Sequence, residues 1–406
     1  MFMNKLVPVD VRDIWLNAPL AQSIYDSHGR LLLRCGLAVG TQRELEHLLA
    51  VGMKEAVDVA PAVVHAQPTH SVFEQTELVA ARLAMLYQRL REEPDWPEFA
   101  VLVGKIADAI LTCCEKDGDA AFAMAHLDCR HGYDTVHHVM AAVIAARIAL
   151  AQKWAIERRR ALVSAVLTLD IALLPHRRLL EADAQLSAEH EAIVHRHPDE
   201  GASWLERLGV RDVYWLRCVR QHHRGLNGSG YPAGSDPIDV EARIATLADA
   251  FSAMLRPRPY RGRIPATKAL AGIYANAVGR YDGSLINVLI REVGIFPPGS
   301  VVRLANGETG IVVRTPPDAL NTPEVWVLAD ISGHLLLRPR PCDSSLPTFT
   351  VVGLGKLEIC LSMMQAVAQL WSRAKPATGD AKFGTAADEA PPQRTPFSRP
   401  LAFAPS

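Results

Sequence analysis

Apolar residues recur every three or four positions through most of the chain between Glu74 and Tyr274, which is the spacing of one face of an α-helix. Residues 136–152 are apolar on most faces and predict a buried helix. Ser187 is suited to begin a helix and Gly209 to end it. The predicted helices cover residues 74–114 with a break near Pro94 and Pro97, 136–152, 157–170, 187–209, 212–223 and 240–255. This succession of helices without strand signals is typical of an all-α bundle.

Shorter patterns flank the helical region on both sides. Near the N-terminus, a turn at residues 26–29 precedes a short strand at 31–33, and Thr41 is suited to cap a helix that ends at Gly52. Beyond residue 299, strand-like segments surround the hairpin-type pair Asn306-Gly307. These segments are residues 301–304, 310–314, 325–329 and 334–337.

The sequence therefore predicts a mainly α protein, in which an all-α helical bundle lies between a small α/β N-terminal module and a small β C-terminal module. The last segment is rich in Pro, Ala, Ser and charge, which predicts disorder. The predicted boundaries are a small N-terminal module at 1–60, a linker at 61–72, a helical segment at 73–117, the bundle at 118–295, a β module ending in a helix at 296–373, and a disordered tail at 374–406.

Composition narrows the class of protein. The chain has 406 residues, 49% of them hydrophobic and 21% charged, which is typical of a globular protein. Its net charge is −1, so it lacks the excess of basic residues that would indicate a nucleic-acid partner. Residues 1–12 lack a signal-peptide pattern, and the apolar stretch 139–151 contains Arg147 and is too short to span a bilayer. The seven cysteines form no C-x-x-C pair, which favours free thiols. We therefore expect a cytoplasmic protein without a membrane span or a nucleic-acid partner.

Histidine and aspartate residues are spread through the helical region at intervals that no local motif explains. They are His137, Asp170, His197, His222, His223 and Asp249. An aspartate buried in a helical core is costly unless it is paired or bound to a metal, and imidazole with carboxylate suits Fe, Mn or Zn rather than Ca. Taken singly, each residue has a structural explanation: a hydrogen-bonded core histidine, an aspartate paired with arginine, or imidazoles at a helix C-terminus.

The loop from His222 to Pro232 reads H-H-R-G-L-N-G-S-G-Y-P and resembles the H-H-E-x-x-D-G-x-G-Y-P signature of the HD-GYP family. Arg224 and Asn227 stand where the family has Glu and Asp. The resemblance covers residues 126–274 and implies an HD-type helical bundle. The family consists of metal-dependent phosphodiesterases that act on the bacterial messenger cyclic di-GMP. The resemblance therefore implies a metal centre and a cyclic dinucleotide ligand.

The other family motifs recur in order along the chain. By resemblance, His137 matches the first histidine ligand, Leu169-Asp170-Ile171-Ala172-Leu173 matches the His-Asp step H-D-I-G-K, and the His-Pro step supplies His197. The paired ligands are His222 and His223, and the late aspartate is Asp249. The family's R-P-Y-[KR] motif, whose basic residues grip the substrate phosphate, is matched by residues 258–261. Arg258 and Arg261 are therefore the candidate phosphate-binding residues.

Two departures bear on the metals. In the family, two metals share the aspartate matched by Asp170, and the set for one of them is complete here as Asp170, His197, His222 and His223. The other set keeps His137 and Asp249 but has Leu169 in place of its middle histidine, and Leu173 replaces the lysine of the step. Leu169 continues an apolar stripe, so we expect it to pack rather than coordinate. One divalent ion is therefore expected rather than two, Fe or Mn, with Zn as an alternative.

Three hypotheses about function stay open at this point. The first is a regulatory or binding protein of cyclic dinucleotide signalling that holds a metal and has weak or lost phosphodiesterase activity. The second is an active metal-dependent phosphodiesterase with a modified site, in which Asp170 acts with a metal-bound water. The third is a bare helical scaffold. The expected ligand is cyclic di-GMP or a related guanine dinucleotide, and signalling proteins are expected to bind through the Gly-Tyr-Pro loop.

Overall fold

The structure is a computed structural model that describes residues 6–9, 20, 23–34, 37, 39, 41–55, 70–177, 187–257, 262–275 and 277–373. The chain forms two compact units, Met1–Thr69 and His70–Ser406. Residues 61–69 of the predicted linker lie outside the described residues. The predicted tail, 374–406, lies outside them entirely.

The N-terminal unit is a small α/β module, in agreement with the prediction. Its strands are β1 (Leu6–Pro8), β2 (Ile24–Tyr25), β3 (Leu31–Leu33) and β4 (Met53–Glu55), and helix α1 (Gln42–Val51) precedes β4. The four strands form an antiparallel sheet in the order β1-β4-β2-β3. As predicted, Thr41 caps α1 by accepting a hydrogen bond from the Glu44 backbone N–H, and the helix ends at Gly52. A small apolar core that includes Ile24 and Leu48 holds the module together.

The second unit is built on the predicted helical bundle. Its helices are α2 (Val72–Glu92), α3 (Phe99–Leu127), α4 (Tyr133–Ala151), α5 (Ile156–Val166), a 3-10 turn (Ile171–Leu173), α6 (Ala188–Arg207), α7 (Val213–Gln221), α8 (Val240–Leu255), α9 (Ala266–Ala275), α10 (Ala277–Arg280) and α11 (Gly283–Val293). The predicted helix 157–170 is shorter than expected, because α5 ends at Val166 and Asp170 opens the 3-10 turn instead.

Helix α4 forms the centre of the bundle. Every side chain from Asp134 to Ala149 is buried, and α2, α3, α5, α8 and α11 pack around the helix. Arg147 is accommodated by an ion pair with Asp119 at 2.7 Å. The helix is long and apolar enough to cross a membrane, but 83% of its most apolar window is buried inside the bundle, as in a core helix. The prediction that this segment is buried is confirmed.

A five-stranded antiparallel sheet follows the bundle. It consists of β5 (Val301–Leu304), β6 (Thr309–Arg314), β7 (Glu324–Ala329), β8 (Leu335–Asp343) and β9 (Val351–Leu354), in the order β8-β7-β6-β5-β9, and helix α12 (Leu361–Arg373) comes after it. The predicted strands are present, although β8 runs six residues beyond position 337 and β9 was not predicted. Arg314 of β6 holds Asp117 in α3 through two bonds of 2.9 and 2.6 Å, which ties the sheet to the bundle.

Candidate metal centre

Five elements of the bundle bring the six candidate ligands into one region. His137 comes from α4, Asp170 opens the 3-10 turn, and His197 lies inside α6. His222 caps the C-terminus of α7 with His223 directly after it, and Asp249 lies in α8. Residues that are separated by more than one hundred positions, such as His137 and Asp249, therefore meet.

Asp170, His197, His222 and His223 form the first group, which we call the three-histidine cluster. Each offers a ligand atom, and these atoms all lie within 4.8 Å of one another. His197 Nε2 lies 3.4 Å from Asp170 Oδ1 and 3.2 Å from His222 Nε2. The His197 and His222 rings are fully buried, so water does not screen them.

Backbone carbonyls orient two of these rings. His197 donates its Nδ1–H to the Val194 carbonyl at 2.6 Å, and His222 donates its Nδ1–H to the Val219 carbonyl at 2.7 Å. In the neutral rings, both Nε2 atoms then carry lone pairs, which face each other at 3.2 Å. Two buried acceptors at that distance are unfavourable unless a cation lies against both of them. The donor set therefore fits a divalent metal.

The electrostatics favour the protonation states that bind metals. Burial lowers the pKa of His222 well below its usual value and lowers that of His223 to about 4, so both rings are neutral near pH 7. Burial alone would raise the pKa of Asp170, but neighbouring imidazoles and the Arg177 guanidinium hold it well below its usual range. Neutral imidazoles and an ionised carboxylate are the ligand forms that a metal requires.

His137, His138 and Asp170 form a second group, which we call the α4 cluster, and their ligand atoms also lie within 4.8 Å of one another. His138 Nε2 is 3.7 Å from Asp170 Oδ2. At the edge of the cluster, His137 Nε2 lies 2.9 Å from Asp249 Oδ1. Burial opposes the charged form of Asp249, yet its bond to His137 lowers its pKa to about 2. Asp170 thus belongs to both clusters.

The two leucines of the altered His-Asp step are buried. Leu169 has no exposed surface and belongs to the main apolar core, so the expectation that it packs rather than coordinates is confirmed. Leu173 is 5% exposed. The lysine of the family step is absent, but the Arg177 guanidinium provides a positive charge beside Asp170, because its Nη2 lies 3.2 Å from Asp170 Oδ2. The same guanidinium also pairs with Asp134.

The loop after His223 is held by its own contacts. Gly230 has a φ of +88°, and a Cβ there would lie 2.0 Å from the His223 carbonyl oxygen, so only glycine allows this close approach. Tyr231 packs against the His223 ring with the centroids 4.7 Å apart. Arg224 donates hydrogen bonds to the Asp236 carboxylate at 2.9 Å and to the carbonyls of Gly234 and Asp236. Its positive charge is therefore paired within the loop.

The candidate phosphate-binding residues Arg258 and Arg261 lie outside the described residues. On either side of them, Arg256 follows the last residue of α8 and donates to the Asp128 carbonyl at 3.2 Å, while Arg263 is the second residue of the next described segment. Like charge on Arg263 and burial together lower the pKa of Arg256 to about 9, and burial is the larger cause. The described residues on both sides of the R-P-Y-R segment are therefore cationic.

Motif matching did not identify His138 and Arg177. A signal for His138 was present, because it stands directly after His137 in a helix that is apolar on most faces, where a polar residue needs a partner. No comparable signal exists for Arg177, which lies seven positions after Asp170 among other arginines and histidines. Its approach to Asp170 depends on the turn that follows the 3-10 segment.

Known proteins resemble parts of this chain. The HD domain family matches residues 120–285. A cyclic di-GMP phosphodiesterase of Pseudomonas aeruginosa, PA4108, is 27% identical over 290 residues, which cover 69% of this chain and 67% of that protein. The cyclic di-GMP phosphodiesterase response regulator RpfG of Xanthomonas campestris is 33% identical over 110 residues, which cover 26% of this chain and 29% of that protein.

A solved structure also aligns with the chain. Bd1817, described as an HDG"Y"P protein of Bdellovibrio bacteriovorus, aligns with a TM-score of 0.49 and 16% identity over 70% of this chain and 98% of its own. The HD-domain match contains all six candidate ligands, and it includes the His222-His223 pair and the Gly-Tyr-Pro loop. The HD-domain match and the cyclic di-GMP phosphodiesterase relatives together support the assignment of this chain to the HD-GYP family.

Proposed function

We propose that this chain is a cytoplasmic, metal-binding protein of bacterial cyclic dinucleotide signalling, with weak or lost phosphodiesterase activity and a regulatory or binding role. The observation that carries the proposal is the three-histidine cluster, in which four ligand atoms lie within 4.8 Å of one another. The names of the relatives, cyclic di-GMP phosphodiesterases, support cyclic di-GMP or a related guanine dinucleotide as the ligand.

Asp170, His197, His222 and His223 would hold one ion tightly. Their mixture of imidazole and carboxylate suits Fe or Mn, with Zn as an alternative. When bound, such an ion would lower the pKa of a coordinated water and offset phosphate charge. Burial prepares the site by keeping the His222 and His223 rings neutral and by excluding bulk water, and the Val194 and Val219 carbonyls fix the tautomers of His197 and His222.

Weak hydrolysis follows from the altered His-Asp step. Leu169 lies in the core and offers no ligand atom, and Leu173 offers no charge to a phosphate. Phosphodiester cleavage develops negative charge that must be stabilised in the transition state, so the loss of a cationic side chain lowers the rate. Arg224 does not replace that charge, because it is bonded to Asp236.

A second candidate function is an active cyclic di-GMP phosphodiesterase, and Arg177 is the observation that favours it. Its guanidinium lies 3.2 Å from Asp170 Oδ2 and is largely buried, so it supplies a fixed positive charge beside the centre. In such an enzyme, Asp170 would act together with a metal-bound water. A guanidinium at this position would interact with a phosphate more strongly than one in bulk water, because the surroundings are of low polarity.

Ligand binding would involve Arg258 and Arg261, because arginine forks bind phosphate through charge-assisted bonds that do not require catalysis. We propose that these residues hold the phosphates of a guanine dinucleotide and that signalling proteins bind at the Gly-Tyr-Pro loop. Leu226 of that loop is exposed, as a protein-binding surface requires.

Two measurements on the full chain test the proposal. Metal analysis after purification without chelators should give one ion per chain, and cyclic di-GMP hydrolysis under Mn²⁺ or Fe²⁺ supply should be far below that of an intact family member. Calorimetry should detect binding of cyclic di-GMP or its linear form, and Arg258→Ala/Arg261→Ala should weaken it. Absence of metal after supplementation rejects the metal centre, and turnover equal to the intact enzyme favours the second candidate.

A further inference from the structure

We propose that His138 is a metal ligand that takes the place of the histidine absent at position 169, so that the α4 cluster forms a second, weaker cation site. This inference rests on the proposed metal centre and extends it. The second site would use His137, His138 and Asp170, with Asp249 at its edge.

The first argument is the burial and direction of His138. The residue is 1% exposed, and its Nε2 atom has no hydrogen-bond partner among the described residues. This atom lies 3.7 Å from Oδ2 of Asp170. A buried polar atom without a partner costs roughly 1–3 kcal/mol, so its direction toward Asp170 calls for a ligand.

The second argument is the tautomer of the His138 ring. The Tyr87 hydroxyl donates its single proton to the Leu167 carbonyl. The same hydroxyl oxygen lies 2.8 Å from His138 Nδ1, and it can only accept there, so Nδ1 carries the proton. When the ring carries only this proton, Nε2 has the lone pair, and it lies 3.7 Å from Asp170 Oδ2. Tyr87 thus acts as a positioning residue of the kind that fixes metal-binding histidines.

The third argument is the distance between the two acceptors. A proton shared directly between imidazole and carboxylate would bring them to about 2.7–2.9 Å, which is shorter than the observed 3.7 Å. Two ligands that each lie about 2.1 Å from one ion are separated by roughly 3–4 Å. The spacing of His138 Nε2 and Asp170 Oδ2 therefore suits an ion between them.

Arg177 sets the expected strength of the second site. Its Nη2 atom lies 3.2 Å from Asp170 Oδ2, the same oxygen that faces His138. A cation bound there is repelled by the guanidinium and competes with it for the carboxylate, while His197 of the three-histidine cluster approaches the other oxygen, Oδ1. The second ion is therefore expected to bind more weakly than the first.

The experiment is a Mn²⁺ titration of the metal-free full chain, followed by equilibrium dialysis with metal analysis and by electron paramagnetic resonance. Wild type should bind one ion tightly and a second at least tenfold more weakly, and the second should broaden the Mn²⁺ signal because two ions share Asp170. His138→Ala and His138→Gln should both keep the first ion, lose the second and retain an isolated-ion spectrum. His334→Ala, at an exposed histidine directly before β8, serves as the control and should match wild type.

A rescue variant separates ligand loss from structural damage. Leu169→His in the His138→Ala background should restore the second ion, which a damaged helix would not allow. The inference is overturned if wild type binds only one ion, if both His138 variants keep the second, or if folded His138 variants lose both ions. If wild type binds no ion at all, the proposed metal centre itself fails, and this outcome differs from the loss of the second ion alone.

Discussion

The three-histidine cluster and the α4 cluster share Asp170, yet they differ in the groups that surround it. In the first, backbone carbonyls of Val194 and Val219 orient the His197 and His222 rings, whose Nε2 atoms face each other, and His197 Nε2 approaches Asp170 Oδ1. In the second, a ring oriented by the Tyr87 hydroxyl shares the other oxygen with the Arg177 guanidinium. We therefore expect that ligand number alone does not set metal affinity, because a fixed cation beside one carboxylate oxygen should weaken binding at the α4 cluster and spare the three-histidine cluster.

The largest effect is expected when a ligand of the three-histidine cluster is removed. His223→Ala should lower the affinity for the tight ion at least a hundredfold, because even groups that only orient a ligand contribute 10–100-fold. His137→Ala, in the α4 cluster, should leave the tight ion in place. Metal content of the two purified variants measures the contrast. Equal loss from both would mean that the clusters are not separate sites.

Removal of the metal should lower stability through the three-histidine cluster. At a free metal concentration of 100 times Kd, binding stabilises the folded chain by about 2.7 kcal/mol, so chelation should lower Tm by a few degrees. His223→Ala should already have the lower Tm and should not respond to chelator. Thermal unfolding with and without chelator checks this, and a chelator effect that persists in the variant would contradict it.

Restoring the histidine and the lysine of the family's His-Asp step, at positions 169 and 173, should raise the rate of hydrolysis. Leu169→His with Leu173→Lys is expected to raise the rate of cyclic di-GMP hydrolysis about tenfold, which corresponds to about 1.4 kcal/mol of transition-state stabilisation. The variant should also lose roughly 1–3 kcal/mol of stability, because new polar groups replace buried leucines. Initial rates and chemical denaturation measure the two effects. An unchanged rate in a folded, metal-loaded variant would show that the altered step does not limit hydrolysis.

The smallest effect is expected from Arg177. Arg177→Met removes a positive charge near Asp170 Oδ2, so the second Mn²⁺ should bind a few-fold more tightly while the first is unchanged. Arg217→Met serves as a matched control, because Arg217 pairs with Asp239 at 2.9 Å, outside both clusters. Equilibrium dialysis measures both constants. If Arg177→Met tightened binding of the first ion alone, Arg177 would act on the three-histidine cluster rather than on the α4 cluster, which would contradict the prediction.

The sequence predicted the parts of this structure that depend on local pattern. Thr41 and Gly52 bound α1 as expected, and strand β5 matches its predicted range, because caps and hairpin dipeptides act within a few residues. His222 was predicted at the end of its helix and lies there. The predicted roles of the six ligands remain predictions, although the structure brings their side chains together.

Features that depend on distant contacts were not predictable in this way. The direction of His138 Nε2 is set by Tyr87, fifty-one positions earlier in the chain. The three-residue strand β1 is recognisable only through its pairing with β4, and β9 through its pairing with β5. Such short segments carry too little periodicity to identify alone, since tertiary partners decide their conformation.

Tyr87 has a consequence for how the protein can be divided. It lies in α2, and its hydroxyl joins the end of α5 to His138, although the HD-domain match begins only at residue 120. A fragment cut to the matched residues would lose this hydroxyl and open the buried face of α4 that α2 covers. We therefore expect that the smallest piece that keeps the clusters intact begins before α2, and that a boundary drawn from family similarity alone would separate the candidate ligands from the helix that positions His138.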